Sequence, residues 1–327
     1  MKKIIILLMM GLLVVGCGKN TESNVTKRIN KKYDKSTGYK LIGELEINNN
    51  DEVYNYDVTV SYDKKNGYYK ISIVNKSNDF KQMIIKNADG VFLFTPSLNK
   101  SFKFNSKWPY NNSQIYLYDT IINDIKNDNN RKYDYKNDKH IYYTKVNYPN
   151  NSKLSKQKIV FDKNDNLKLI SVYDSDDRVC MQLNVDKVSF SPRFGKKHFE
   201  LDDNSDIKKS EKTMSIDDIV YPVFLPSGTK LVEEKRVNKD SGERVIMTYD
   251  GEKNFLLVEE TADVFSDFTI IPCSGEPFQL MDTIGIMTDN SLSWTSGNRD
   301  FYIVSDVMDK DELVEIAQSI VGVSSLK

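Results

Sequence analysis

Cys17 is the side chain whose chemistry is most legible, because of what precedes it: Lys2 and Lys3, an apolar run over residues 4–15, and Val14-Val15-Gly16 directly before the thiol. The lysines hold the amino end in the cytoplasm, the run is too short to span a bilayer as a stable helix, and the small Gly16 marks a cleavage point. This is the pattern of a bacterial lipoprotein signal. Cleavage makes Cys17 the first residue, a diacylglycerol joins its thiol, and a fatty acid such as palmitate acylates its freed amine. At roughly 0.8 kcal/mol per buried methylene, that one residue anchors the chain. The expectation is a protein held by lipid at the cell membrane, on the extracytoplasmic face.

The remaining reactive side chains point away from catalysis. Cys180 and Cys273 lie in segments read below as separate domains, so they are expected to be buried thiols rather than a disulfide. His140 and His198 are the only histidines and neither neighbours a cysteine, which leaves no local zinc set and no ready Ser-His-Asp or Cys-His arrangement. The acidic pairs Asp176-Asp177, Asp202-Asp203 and Asp217-Asp218 are the material a carboxylate-based glycan hydrolase would need. Adjacent acids on a strand, however, point to opposite faces, and most of these sit in turns. No phosphate loop, dinucleotide fingerprint, calcium loop or helix-turn-helix is present, and 46 basic against 47 acidic residues give no net pull toward nucleic acid. The expected chain is not an enzyme and carries no cofactor, no metal and no nucleic acid.

Stepping outward to the elements that position these groups, 327 residues suit two domains, and 19 tyrosines within 11% aromatics suit pleated sheet. Residues 18–38 hold basic and small polar side chains and read as a flexible, solvated tether after the 1–17 signal; its lysines are also placed to rest on anionic head groups. From residue 39 the period is two. Leu41, Gly43, Leu45 and Ile47 share one face, and Tyr54, Tyr56, Val58, Val60 and Tyr62 alternate with Asn55, Asp57, Thr59 and Ser61. Further strand-like runs follow at 68–74, 80–86, 91–95, 101–104, 133–135, 141–147, 158–161, 167–173 and 179–188, separated by Asn/Asp/Gly turns. One helical interruption is expected over 114–126, where Ile115, Tyr118, Ile121, Ile122 and Ile125 fall on one face. That stripe would plug the concave side of a curved sheet.

Residues 202–214 lack large apolar groups and read as a linker. Beyond them, 215–327 read as a smaller α+β domain with strands near 230–237, 243–249, 255–260, 278–287, 291–295 and 301–304. A last helix starts near Lys310, with Asp309 and Glu312 spaced as a capping box. The predicted fold class is therefore α+β, mostly β: an antiparallel half-barrel over 39–201 around an amphipathic helix, plus the C-terminal module.

A curved meander around one helix, on a secreted lipoprotein, resembles the LolA/LppX/RseB superfamily. The words 108–117 (WPYNNSQIYL), 145–150 (KVNYPN) and Phe161-Asp162-Lys163 are similar to germination lipoproteins related to GerS, while 224–228 (FLPSG), 249–255 (YDGEKNF) and Asp311-Glu312-Leu313 resemble the DUF4367 type. The resemblance implies sporulation or spore germination (cortex modification), binding rather than reaction, and an envelope protein partner such as a cell-wall amidase. The lipid anchor departs from the soluble LolA carriers, and GerS-like proteins lack the second module. Two occupants of a binding role follow. A protein partner would meet exposed strand edges and an aromatic surface at Trp108, Tyr110 and Tyr116; alternatively, an acyl chain would enter an apolar hollow lined by Tyr54, Tyr56, Val58, Val60, Ile115, Tyr118 and Ile122. The sequence is compatible with a homodimer formed by strand exchange.

Overall fold

The computed structural model describes residues 20–49, 52–109, 112–148, 151–201, 216, 218–280 and 283–320. Cys17, Tyr110 and the 202–214 linker lie outside them. The chain opens with helix α1 (Glu22–Asp34) and continues through β1 (Gly38–Asn49), β2 (Glu52–Asp63), β3 (Tyr68–Asn75), β4 (Lys81–Asn87), β5 (Gly90–Thr95) and β6 (Lys100–Phe104). Helix α2 (Tyr118–Asn127) precedes β7 (Lys132–Lys136), β8 (Lys139–Lys145), β9 (Leu154–Asp162), β10 (Leu167–Asp174) and β11 (Val179–Phe190). The second half holds β12 (Lys230–Lys239), β13 (Gly242–Asp250), β14 (Phe255–Thr261), β15 (Thr269–Cys273), β16 (Glu276–Gln279), β17 (Ile284–Met287), β18 (Ser291–Ser296), β19 (Arg299–Val304) and α3 (Lys310–Ser319).

Two open sheets result. The first has the order β15-β6-β5-β4-β3-β2-β1-β11-β10-β9-β8-β7 and the second β12-β13-β14-β19-β18-β17-β16. The period-two stripes predict the register, since Leu41 faces Val60, Gly43 faces Val58 and Leu45 faces Tyr56 across β1 and β2, all on the dry side. Gly43 also sits at the bulge where β1 meets β11. A Cβ there would lie 2.4 Å from the Asn184 carbonyl oxygen, so only glycine allows the close approach.

The predicted tether is largely a helix instead. α1 turns Val25 and Ile29 into the first core, both almost fully buried, while Arg28 grips Asp165 through two hydrogen bonds of 2.7 and 2.9 Å. Two apolar residues four apart are enough to dock a helix on a preformed apolar face, and the polar majority of the segment hid them. α2 begins later than expected, at Tyr118, with Ile115 in the turns before it. Ile115, Tyr118, Ile121, Ile122 and Ile125 are nevertheless all buried in that same core. Both helices thus contribute to the core of the first sheet.

Trp108 and Tyr116, expected on an aromatic surface, are core residues with 3% and 2% exposure. Trp108 meets Tyr69 edge-on with ring centroids 5.8 Å apart, so its large apolar area is consumed by packing. Cys180 and Cys273 are free, half-buried thiols.

The second sheet carries its own core under α3, with Leu313, Ile316 and Ala317 against Leu257, Trp294 and Ile303. Asp309 and Glu312 close the capping box that starts α3. The two halves are not cleanly separate, however. β15 leaves the second half to add a parallel strand beside β6, and Ile284 and Ile286 of β17 enter the first core. β15 escapes a pattern search because Pro272 interrupts it and none of its five residues is fully buried. As the outermost strand it tolerates the missing N–H.

Candidate functional site

The residues proposed to line a hollow are brought together, but as packed core. Tyr56, Val58, Val60, Ile115, Tyr118 and Ile122 are each no more than 2% exposed, and Tyr54 is half-buried beside them. At their centre lies a group the sequence did not single out. Asp119, in the first turn of α2, accepts hydrogen bonds from the Tyr39 hydroxyl at 2.7 Å and the Tyr69 hydroxyl at 3.0 Å, while the Tyr118 backbone N–H donates to Tyr39 Oη at 3.1 Å. Burial pushes the Asp119 carboxyl above its ordinary value and the two hydroxyls pull it partly back. No pattern marks such a residue, because strand tyrosines some 50 and 80 positions away along the chain converge on it only in the folded state.

Asp124, one helical turn further on, accepts from Ser113 Oγ at 2.9 Å and from Gln157 Nε2 at 2.6 Å, and Ser113 Oγ in turn accepts from the Asn147 N–H at 2.8 Å. Burial pushes its carboxyl up to about 6. The folded state therefore holds this proton more tightly than the unfolded chain does. The resulting stability is complete below about pH 4 and lost as pH rises through about 6, a change of about 2–3 kcal/mol. Asp124→Asn is expected to remove that slope: urea midpoints at pH 4, 5, 6 and 7 should show the variant gaining on the wild type by this amount toward neutrality. Parallel curves for both would contradict the assignment.

Open space lies where the two sheets meet. One cleft of about 500 Å³ separates β4, β5 and β6 from β13, β14 and β17–β19, with walls from Leu93, Phe102, Leu256, Ile286, Trp294 and Phe301. Its polar groups bind one another. Lys100 Nζ reaches Asp300 at 3.0 Å across the junction, and Arg244 Nε reaches Glu260 at 2.5 Å. At its floor Gln82 Oε1 accepts from Thr283 Oγ1 at 2.8 Å and from the Ile284 N–H at 2.7 Å, which clamps β4 to β17. A second cleft of about 450 Å³ lies between Ile47, Leu154 and Met181 of the first sheet and Phe278, Leu280 and Gln318 of the second half.

In the first cleft the Thr295 hydroxyl donates to the Asp300 carboxylate, which also pairs with Lys100, and among the described residues no histidine or cysteine lines that cleft. Cys180 borders the second, but burial raises its thiol above the ordinary value, so it is held as the unreactive acid. Burial likewise pushes the Cys273 thiol up to about 11. His140 is fully buried, shares a 2.9 Å hydrogen bond with Tyr133 through Nδ1, and is held below its ordinary pKa by burial. His198 stacks on Phe194. Among the described residues no cluster of His, Cys, Asp and Glu is placed to hold a metal ion, and no helix is long and apolar enough to cross a membrane. What the clefts offer is apolar surface with internally neutralised charge, suited to binding.

The architecture is that of a mostly β protein whose two open sheets meet over apolar clefts. The chain belongs to the family of the sporulation protein YdcC of Bacillus subtilis (strain 168), with which it is 36% identical over 334 positions spanning 99% of this chain and 98% of that protein. No family model matches the sequence, and the likeness of 215–327 to the DUF4367 type stays an expectation. Among solved structures, the MucA/MucB complex of Pseudomonas aeruginosa aligns with 91% of this chain and 98% of its own at 8% identity and a TM-score of 0.34. A LolA superfamily protein of Nitrosomonas europaea aligns with 53% of this chain and 96% of its own at 13% identity and a TM-score of 0.29. At such scores these are partial likenesses, and nothing about function follows from them.

Proposed function

We propose that this protein is a lipid-anchored, extracytoplasmic binding or assembly factor acting in sporulation through contact with an envelope protein, and not through catalysis. Full-length kinship with a protein named for sporulation carries the reading. The lipoprotein signal ending at Cys17 supplies the location, and the clefts at the sheet junction supply apolar surface for a partner. The GerS-like words of 108–117 and 145–150 support a narrower version in which the partner is a cell-wall amidase and the process is cortex modification. With Trp108 and Tyr116 in the core, the partner surface moves from that aromatic segment to the junction of the sheets.

The anchor is tested first. The native protein is expected to partition into detergent, with the mass of its amino-terminal peptide showing an acylated Cys17, and Cys17→Ala is expected to abolish both. An unmodified Cys17 in an aqueous-phase protein would refute the location. Cross-linking in sporulating cells, followed by capture of this chain, then reads the partner; recovery of no envelope protein would refute the assembly role. The lipid-binding alternative retains one specific support, the apolar 500 Å³ cleft. An acyl chain would lie between the sheets there and not among the helix-packed residues Tyr56, Val58 and Ile122. Native mass spectrometry after delipidation separates the two readings.

A further inference from the structure

We infer that the α1 end of the first sheet is a membrane-apposed face, recognised by anionic lipid head groups, so that the protein stands on the bilayer in one orientation instead of swinging on a tether. The inference rests on the anchored reading of Cys17. Its first support is chain length. The Tyr133 hydroxyl donates to the Asn20 carbonyl at 2.8 Å, which pins Asn20 to β7. Only Gly18 and Lys19 separate Cys17 from that fixed point, so the acylated residue lies within about 11 Å of the folded body even if those links are fully extended. α1 cannot pull away to lengthen the leash, because Val25 and Ile29 are buried in the core and Arg28 holds Asp165.

The second support is charge. Lys27 and Lys31 on the outer face of α1, and Lys35 at its C-terminal cap, recur every four residues and are all exposed. None has a carboxylate within 4.0 Å among the described residues. The acids of the same helix are engaged elsewhere: Glu22 pairs with Arg131 at 2.6 Å, and Asp34 lies 3.9 Å from Lys126. Lys136 and Lys139 flank the tip of the β7–β8 hairpin at the same strand ends; the Asp138 between them accepts from the Tyr135 hydroxyl and lies 3.6 Å from Lys163, which leaves the two lysines as exposed cations beside the Arg28–Asp165 pair that His140 approaches to 3.6 Å. A protein of net charge −1 thus concentrates free positive charge at the end where its lipid emerges. Over about 12 Å of helix, the three α1 lysines lie within reach of a negatively charged leaflet, well inside the range at which such charges are felt. Asn48 and Arg178, which border the second cleft, lie at the opposite strand ends. The second cleft therefore faces away from the bilayer.

The test uses the full lipidated chain reconstituted on phosphatidylcholine vesicles with and without phosphatidylglycerol, with lysine acetylation mapped by mass spectrometry. Labelling of Lys27, Lys31 and Lys35 is expected to fall about threefold or more when phosphatidylglycerol is present and to recover in about 0.5 M salt, while Lys230 and Lys235 of β12 stay unchanged. In the surface variant K27E/K31E/K35E, Lys136 and Lys139 are expected to label equally on both vesicles. Equal labelling of the wild type on both, with Cys17 shown acylated in the same sample, overturns the inference alone. An unacylated Cys17 overturns it together with the anchor, since surface lysines without an acyl chain do not hold a protein on a bilayer.

Discussion

Arg299→Ala is expected to cost about 3–5 kcal/mol of stability, measured by urea denaturation at neutral pH. Glu259 on β14 is fully buried and Arg299 on β19 nearly so, and Arg299 Nη1 donates to both Glu259 Oε1 and the Asp218 carbonyl. Glu259 Oε2 accepts from the Val220 N–H at 2.9 Å. The pair therefore ties the entering segment to the sheet, and removing the arginine leaves a carboxylate in the interior with one remaining donor. Even with Arg299 present, burial keeps the Glu259 carboxyl above its ordinary value. Without it the folded state binds that proton more tightly still, so the deficit should be smallest in acid and grow as pH rises. Pairing Arg299→Met with Glu259→Gln should recover part of the loss, because no buried charge remains. A deficit below about 1 kcal/mol, independent of pH, would show that the pair is not buried in solution.

Ile29→Ala is expected to lower stability by about 2–5 kcal/mol, and Ile29→Asp to prevent folding of the first sheet, since the side chain is 2% exposed among core residues. The result discriminates sharply. On a solvated tether either change would be silent, within about 0.5 kcal/mol. Circular dichroism combined with urea unfolding reads the effect, and Lys31→Ala, an exposed change two residues later on the opposite face of the helix, serves as the control.

The strands were legible because each half-buried strand writes its own pattern: Tyr54 to Tyr62 alternates, and β2 spans Glu52–Asp63 with Tyr56, Val58 and Val60 inward. The capping box at Asp309 was legible for the same reason, since it is completed within four residues. α1 was not. Its docking depends on two apolar side chains meeting a face built by strands more than a hundred residues later, such as β8, where Thr26 reaches the Tyr142 hydroxyl at 2.9 Å. Trp108 and Tyr116 are buried for a related reason: an aromatic in an irregular segment looks alike in sequence whether it meets solvent or, as Trp108 does, Tyr69. The residues expected to line a hollow share strand and helix faces in the sequence and meet in one packed core, because periodicity marks a buried face without distinguishing an empty hollow from a filled one.

The sequence by itself determines the alternation that makes this a mostly β chain and, along its whole length, the kinship with a sporulation protein; it also carries the apolar run before Cys17 on which the proposed anchor rests. Tertiary structure decides the rest: that Asp119 sits among tyrosines, that Lys100 and Asp300 meet 200 residues apart, and that β15 crosses to the other sheet. The division has one cause. Signals and strand periods are written by neighbours in the chain, whereas burial, charge pairing and cleft shape depend on which distant surfaces come together, and that contact energy has no local spelling.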